Sequence, residues 1–465
     1  MPYPSRSLSV LLAFIALSGS LNANMAISAE ARNVILIIGD GFDDQHVTMA
    51  RNYLSGNGGM LLLDEQPIRA AVQIETVSTD GIPLYVADSA NTATTLATGV
   101  VTNIGRIGTG PDDEDVATIA EMAVAAGYRA GIVSSASITD ATPASFMAHV
   151  AHRGCENPEI ILGGTFYGVK FEGCPQDALD NNGPGSIAEQ IVQSSMHVIL
   201  GGGMKHFEKE ISGSEQNLLA MAKMQGFAVV TTTEALTEAE TDKRLIGLFS
   251  SSHLPVRLQG TDGRTAESAN TSMLNAVNDM LGSVTQPDPM ACEPNPEYGA
   301  TPPLAMLTES AIKHLAADND KGFFLMVESA SIDKQSHERN PCGSIGEVAQ
   351  LEETLAVALA YANAHANTLV IVTADHAQAA QIIPEPSLFD RLPIPVYSPG
   401  KVARIKTPEG GLMRINYATN NISNAEHSGA NVPLFANKVG ADWVKPFMRQ
   451  RDVFKLMANY LELKH

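Results

Sequence analysis

The sequence predicts an α/β fold, a doubly wound, mostly parallel central sheet flanked by helices. Short β-branched runs recur along the chain, and they are apolar throughout rather than alternating, as strands covered on both faces must be. Helix-patterned stretches separate them. Acidic residues stand at or just past the ends of several runs, where sheets of this kind collect their ligands.

The runs fall at residues 34–38, 131–134, 197–200, 228–231, 247–250, 323–327 and 369–373. Helical patterns cover 116–126, 186–195, 302–317 and 345–364. Proline-rich segments at 285–303 and 384–399 read as surface loops. Beyond the second, residues 402–406 and 412–417 flank Pro408-Glu409-Gly410-Gly411, which predicts a hairpin at the sheet edge. Residues 30–465 are thus expected to form one α/β domain with a hairpin-containing insertion near 380–420.

The chain has 465 residues, 44% of them hydrophobic, enough to bury a large core. Thirty basic residues against 51 acidic ones leave a net charge of −21. Such a surface repels nucleic acid and anionic membranes, so an anionic substrate must be captured by locally concentrated positive charge. Arg6, the apolar run from Leu8 to Leu17 and the small residues after it read as a secretory signal peptide over residues 1–29, with Ala23, Ala26 and Ala29 as candidate cleavage positions. Export to the periplasm or beyond follows. No other stretch is long and apolar enough to span a membrane, so stable membrane insertion is not expected.

Cys155, Cys174, Cys292 and Cys342 include no Cys-x-x-Cys pair, and in an exported chain they read as two disulfides rather than a zinc cluster. Three pairings are open, of which the sequential one closes the shortest loops. An unstrained bridge stabilises by roughly 2–4 kcal/mol.

The densest chemistry follows the run at 323–327, where Glu328, Asp333 and His337 come in quick succession. Asp333 and His337 are four residues apart, so a helical turn sets both on one face, a geometry suited to sharing a zinc ion. Asp40 follows the first run, Asp375 and His376 follow the last, and His427 lies in Glu426-His427-Ser428-Gly429. Three Asp and three His suffice for two zinc ions. Taken singly each has an ordinary role: Asp40 as a helix cap, Asp375 in a turn, His427 satisfied by backbone. Their repeated position after apolar strands favours ligation.

Glu328 and the Thr142 hydroxyl are oxygen donors of the kind magnesium prefers, although Thr142-Pro143 also reads as a helix cap. Asp88-Ser89 opens a helical stretch whose free N–H groups favour an anion, which places Ser89 as a nucleophile; the plain alternative is an Asp-Ser cap. Arg153 offers a fork for two phosphate oxygens, where a lone helical arginine is ordinarily a solvated one.

Together these segments resemble the bacterial periplasmic type of the alkaline phosphatase family. The resemblance rests on the stretch from Asn33 to Gly41, Asp88-Ser89-Ala90, Asp140-Ala141-Thr142-Pro143 with Arg153 downstream, the segment from Val327 to His337, Thr373-Ala374-Asp375-His376-Ala377, and Glu426-His427-Ser428-Gly429. It runs from about Asn33 to the C-terminus and is weakest over 160–319. It implies the alkaline phosphatase-like fold and a phosphomonoesterase of broad range working through a phosphoserine at Ser89, with Arg153 on the phosphate. It implies two zinc ions and one magnesium per subunit: one zinc on Asp333, His337 and His427, the other on Asp375 and His376 with Asp40. Asp40 would also reach the magnesium, together with Thr142 and Glu328. Asp140 and Lys334 match positions that act through water, the latter tuning metal preference and phosphate release. Sequential disulfides, Cys155 to Cys174 and Cys292 to Cys342, and a homodimer are implied likewise.

One departure stands out. Phe42-Asp43 follows Gly41 where related chains usually carry Met-Gly, so bulk and charge are expected beside Asp40. The remaining nine of the twelve histidines match no ligand position and read as structural or exposed. Rival readings are a phosphodiesterase or phosphonate hydrolase of the same fold, a sulfatase, and an exported metal- or phosphate-binding protein. The first often uses threonine without a matching arginine, the second needs a Cys/Ser-x-Pro-x-Arg setting, and the third needs no nucleophile. Ser89 with Arg153 speaks against the first, Ser89-Ala90-Asn91 does not supply the setting of the second, and Ser89 speaks against the third.

Overall fold

The computed structural model describes residues 31–465 except 212, 215 and 390. The expected signal peptide at 1–29 lies outside the described residues.

Fifteen strands matter for placing the site. They are β1 (Asn33–Gly39), β2 (Ile68–Gln73), β3 (Arg129–Ser137), β4 (Gly164–Phe166), β5 (Val169–Phe171), β6 (Val198–Gly202), β7 (Phe227–Val230), β8 (Arg244–Leu248), β9 (Phe323–Ser329), β10 (Thr368–Ala374), β11 (Ala380–Ile383), β12 (Lys401–Lys406), β13 (Leu412–Tyr417), β14 (Val432–Ala436) and β15 (Phe447–Arg449). The helices are α1 (Asp44–Leu54), α2 (Ser89–Thr98), the single turn α3 (Ala141–Ala144), α4 (Ser331–His337) and α5 (Pro341–Ala364).

Ten strands form one sheet in the order β15-β2-β14-β10-β1-β9-β3-β6-β8-β7. All neighbours run parallel except at β14, which is antiparallel to both β2 and β10. The seven expected runs are strands of this sheet, each shifted or extended by a few residues. Val34 to Ile38 are wholly buried, as are the central residues of β9 and β10, which explains why these runs do not alternate.

Strand order changes direction at β1, whose neighbours are β9 and β10. A crevice therefore opens at the carboxyl ends of these three strands. Register sets their ends level: Gly39 pairs with both Ser329 and Ala374, so Asp40 and Asp375 leave the sheet side by side.

The hairpin at 402–417 is present, but not at the edge of the main sheet as expected. Strands β12 and β13 join β11 in a separate three-stranded sheet in the order β11-β13-β12. Its inner residues Ile405, Ile415 and Tyr417 are buried in a second, smaller core with Ile345 and Cys342 of α5. The apolar residues of β13, Met413, Ile415 and Tyr417, join that core with α5, while Arg414 and Asn416 between them are buried too. Cys342 bonds Cys292, and Cys155 bonds Cys174, the sequential pairing.

Candidate active site

Ser89 is the first residue of α2. The Asp88 carboxylate caps the helix by accepting the Asn91 N–H, and the Asn91 side chain returns a bond to the Asp88 N–H. A cap of this kind is worth about 1 kcal/mol. It also fixes the serine: the Ser89 hydroxyl lies 3.1 Å from His376 Nε2 and 3.4 Å from Asp40 Oδ1.

Asp40, Asp375 and His376 converge beside that hydroxyl. One Asp375 oxygen accepts the Gly41 and His376 backbone N–H groups at 3.0 and 2.8 Å. Its other oxygen is buried with no hydrogen-bond donor among the described residues, and His376 Nε2 lies 3.5 Å from it. Burial, then repulsion from Asp375 and Asp333, pushes the Asp40 carboxyl well above its usual range. Burial pushes Asp375 up to about 6.

Asp333, His337 and His427 form a second group. Asp333 and His337 lie on α4, one helical turn apart, as their spacing predicts. His337 Nε2 is 3.3 Å and His427 Nε2 3.4 Å from Asp333 oxygens, and the two imidazole nitrogens are 3.1 Å from each other. Each ring is anchored through Nδ1, His337 by the Ala425 carbonyl and His427 by the Ala87 carbonyl. Gln378 donates to Asp333 Oδ1 at 2.6 Å and sets its orientation.

Glu328 is the buried penultimate residue of β9 and accepts from the Ser134 hydroxyl. Burial pushes it up to about 7. The Thr142 hydroxyl is buried and has no hydrogen-bond partner among the described residues. Thr142 is not a cap, contrary to one sequence reading: Asp140 caps α3, accepting the Ala141 N–H, so Thr142 and Pro143 lie inside the first turn.

Asp140 is the hub on the other side. Arg153 Nη2 donates to its Oδ1 at 2.8 Å and Lys334 Nζ to its Oδ2 at 2.7 Å. Burial opposes its charge, but Lys334 and Arg153 outweigh that and hold the carboxyl well below its usual range. Arg153 also donates to Asp88 at 3.4 Å, so two carboxylates aim its fork. It lies in a turn and not on a helix.

Phe42-Asp43 does not crowd Asp40. Phe42 is buried against Gly39, and Asp43 turns away to cap α1 and to accept from His46 Nδ1 at 2.9 Å. Glycine at 41 is required, because its φ is +68° and a Cβ there would stand 2.9 Å from Asp333. Sequence reasoning passed over Gln378, Ser134 and His253. His253 stands 3.8 Å from Asp140, yet its Nδ1 accepts the Ser137 N–H and burial lowers its pKa to about 4, so the ring is neutral. Only Gln378, two residues past His376, carried a positional signal.

The residues fit resident cations. With both Nδ1 atoms committed to carbonyls, the Nε2 atoms of His337 and His427 point lone pairs at one another and at a carboxylate. Among the described residues, Arg153 and Lys334 are the fixed positive charges that act on Asp40, Asp88, Asp140 and Glu328, with Asp333 and Asp375 in the same cluster. A phosphate dianion can settle beside Ser89 only when further cations offset that excess. On this sheet, a serine hydroxyl inside such a cluster defines a metal-dependent hydrolase.

The family model described as alkaline phosphatase matches residues 31–388. The chain belongs to the alkaline phosphatase family. It is 38% identical over 443 residues to the alkaline phosphatase of Escherichia coli, covering 93% of this chain and 87% of that one. It is 37% identical over 444 residues to alkaline phosphatase H of Pseudomonas aeruginosa, covering 94% and 86%. It is 36% identical over 449 residues to the streptomycin-6-phosphate phosphatase of Streptomyces griseus, covering 94% and 92%. Among solved structures, the alkaline phosphatase of Thermus thermophilus superposes with a TM-score of 0.66 at 20% identity, over 97% of this chain and 96% of that one. That of an Antarctic bacterium gives 0.65 at 23% identity, over 94% and 100%. The two superpositions bear on the fold.

Proposed function

We propose that the protein hydrolyses a broad range of phosphate monoesters through a phosphoserine at Ser89. The observation that carries this reading is the Ser89 hydroxyl within 3.1 Å of His376 and 3.4 Å of Asp40, at the N-terminus of a capped helix and inside a cation-demanding cluster. Asp375 and His376 with Asp40 would hold one zinc, and Asp333, His337 and His427 another. Asp40, Thr142 and Glu328 would hold magnesium, which the unpartnered Thr142 hydroxyl supports. Ions bound there supply Lewis acidity, bringing hydroxyl and water pKa values towards about 7.

The chain's own groups then divide the work. Arg153, aimed by Asp88 and Asp140, grips two phosphoryl oxygens. Ser89 Oγ attacks phosphorus in line, forming the O–P bond as the bond to the alcohol oxygen breaks on the far side. Water attacks the phosphoserine from the face the alcohol left, releasing inorganic phosphate and restoring the hydroxyl. Asp140 and Lys334 act on the phosphate through water.

Because the grip is on the phosphoryl group, the alcohol part is loosely specified. Relatives of similar identity, one named alkaline phosphatase and one named streptomycin-6-phosphate phosphatase, support that breadth. The reading includes one domain over 30–465 with the insertion near 380–420, export to the periplasm after removal of 1–29, and a homodimer. Exposed Leu388 and Phe389 share a groove with Tyr397, which accepts from Asn275, beside the three-stranded sheet, an apolar surface of the kind a second copy covers.

The test is turnover of an aryl phosphate monoester against the matching diester and sulfate, with and without chelator, for wild type and Ser89→Ala. Monoester turnover that vanishes with chelator and in Ser89→Ala supports the reading. Activity that survives either treatment, or a diester rate above the monoester rate, contradicts it.

A further inference from the structure

The hairpin of β4 and β5 has no part in the chemistry above, yet it is built onto the phosphate-binding arginine. Phe166 and Phe171 pack against the His152 ring at centroid distances of 5.6 and 5.0 Å. Both phenylalanines stand 3.1 Å from where a Cβ on Gly154 would lie. The two residues flanking Arg153 are therefore the floor on which the hairpin stands. The Cys155–Cys174 disulfide closes the segment at its root, and the Arg153 N–H donates to the Gly105 carbonyl at 2.7 Å.

Phe166 pairs with Val169, leaving Tyr167 and Gly168 as the two-residue turn, with φ of 47° and 77°. Asn or Asp followed by Gly is the usual choice where both residues need positive φ, because a bulky side chain is strained there. A tyrosine held in that conformation, 83% exposed, does nothing for the stability of the turn. Its ring leans on Phe166 at 4.3 Å and leaves the other face open. The hairpin stands on the two residues that flank Arg153, so its tip carries this ring beside the phosphate-binding arginine, within electrostatic reach of it.

We infer that Tyr167 is a specificity-determining residue, an aromatic shelf at a fixed height above Arg153 that contacts the alcohol part of the substrate and favours monoesters of aromatic or heterocyclic alcohols. The inference rests on the phosphomonoesterase reading and adds the contact that the phosphoryl grip lacks. An offset-stacked ring pair adds enough to alter affinity by about fivefold to tenfold.

The test compares 2-phenylethyl phosphate with ethyl phosphate, two primary alkyl esters whose leaving groups differ little in acidity, using the metal-loaded protein. Tyr167→Gly and Tyr167→Asn suit the turn, so melting temperature should hold or rise. Both should lose about fivefold to tenfold in kcat/KM for 2-phenylethyl phosphate, chiefly through KM. Ethyl phosphate turnover and inhibition by inorganic phosphate should change less than about twofold, and Tyr167→Phe should behave as wild type. Equal losses for both esters would mean a phosphate contact and overturn the inference, as would unchanged values for both or a Tyr167→Phe as impaired as Tyr167→Gly. A wild-type protein that hydrolyses neither ester overturns the phosphatase reading itself, and this inference with it.

Discussion

The Nε2 atoms of His337 and His427 lie 3.1 Å apart while each ring is tied by Nδ1 to a backbone carbonyl. Two imidazole lone pairs facing each other beside a carboxylate repel unless a cation lies between them. Burial lowers the His427 pKa to about 4, while Asp333 raises that of His337, so without a metal ion a proton on His337 is what relieves the pair, and a cation there competes with it.

Removing His427 should accordingly loosen metal. For His427→Ala, titration against a chromophoric chelator should show zinc affinity at this position falling by at least about 100-fold. Unchanged affinity would place the ion elsewhere.

Metal should also stabilise the fold, because the buried carboxylates of Asp40, Asp333 and Asp375 then have partners. Chelator should lower the melting temperature, and stoichiometric zinc with magnesium should restore it. At free metal 100 times the dissociation constant, one site adds about 2.7 kcal/mol. A chelator-insensitive melting temperature contradicts this.

Arg153 donates to both Asp140 and Asp88, a planar fork that lysine cannot reproduce. Arg153→Lys should raise both KM and the inhibition constant for inorganic phosphate by about tenfold or more. The fold should be unaffected, as judged by melting temperature.

Glu347 on α5 gives a pH signature remote from the chemistry. It is buried, accepts from Gln350 at 2.7 Å, and burial pushes its pKa from 4.5 up to about 7. Between those values the folded protein holds a proton that the unfolded chain has released, so stability falls as pH rises from 4.5 to 7. Glu347→Gln keeps the accepting oxygen and removes the charge. It should be more stable than wild type by on the order of 2 kcal/mol at pH 8 and no more stable at pH 4, as urea unfolding at the two pH values would show. An equal difference at both would contradict the assignment.

Much of the site was legible because its residues follow buried strands. Asp40, Glu328 and Asp375 sit where β1, β9 and β10 end, and apolar runs without alternation mark such strands in any sequence. Asp333 and His337 were legible through helical spacing. The three-stranded sheet was read as an edge hairpin because β12 and β13 alternate like any half-covered strands, and nothing local says that β11 and α5 supply their partners. Thr142 was read as a cap because Pro143 follows it, whereas the Asp140 carboxylate reaches the Ala141 N–H first. Gln378 is marked only by its place two residues past His376, and its contact with Asp333 spans 45 residues; the contact of Ser134 with Glu328 spans 194, which no local pattern encodes.

The central claim is that Ser89 carries the phosphoryl group. The most direct measurement is to incubate the protein with radiolabelled inorganic phosphate at low pH, where a serine phosphate persists, quench it, and map the label by peptide mass spectrometry. The account predicts one phosphate on the peptide containing Ser89 and none in Ser89→Ala. Label on another residue, or full turnover with no covalent phosphate and inversion at phosphorus, would contradict it.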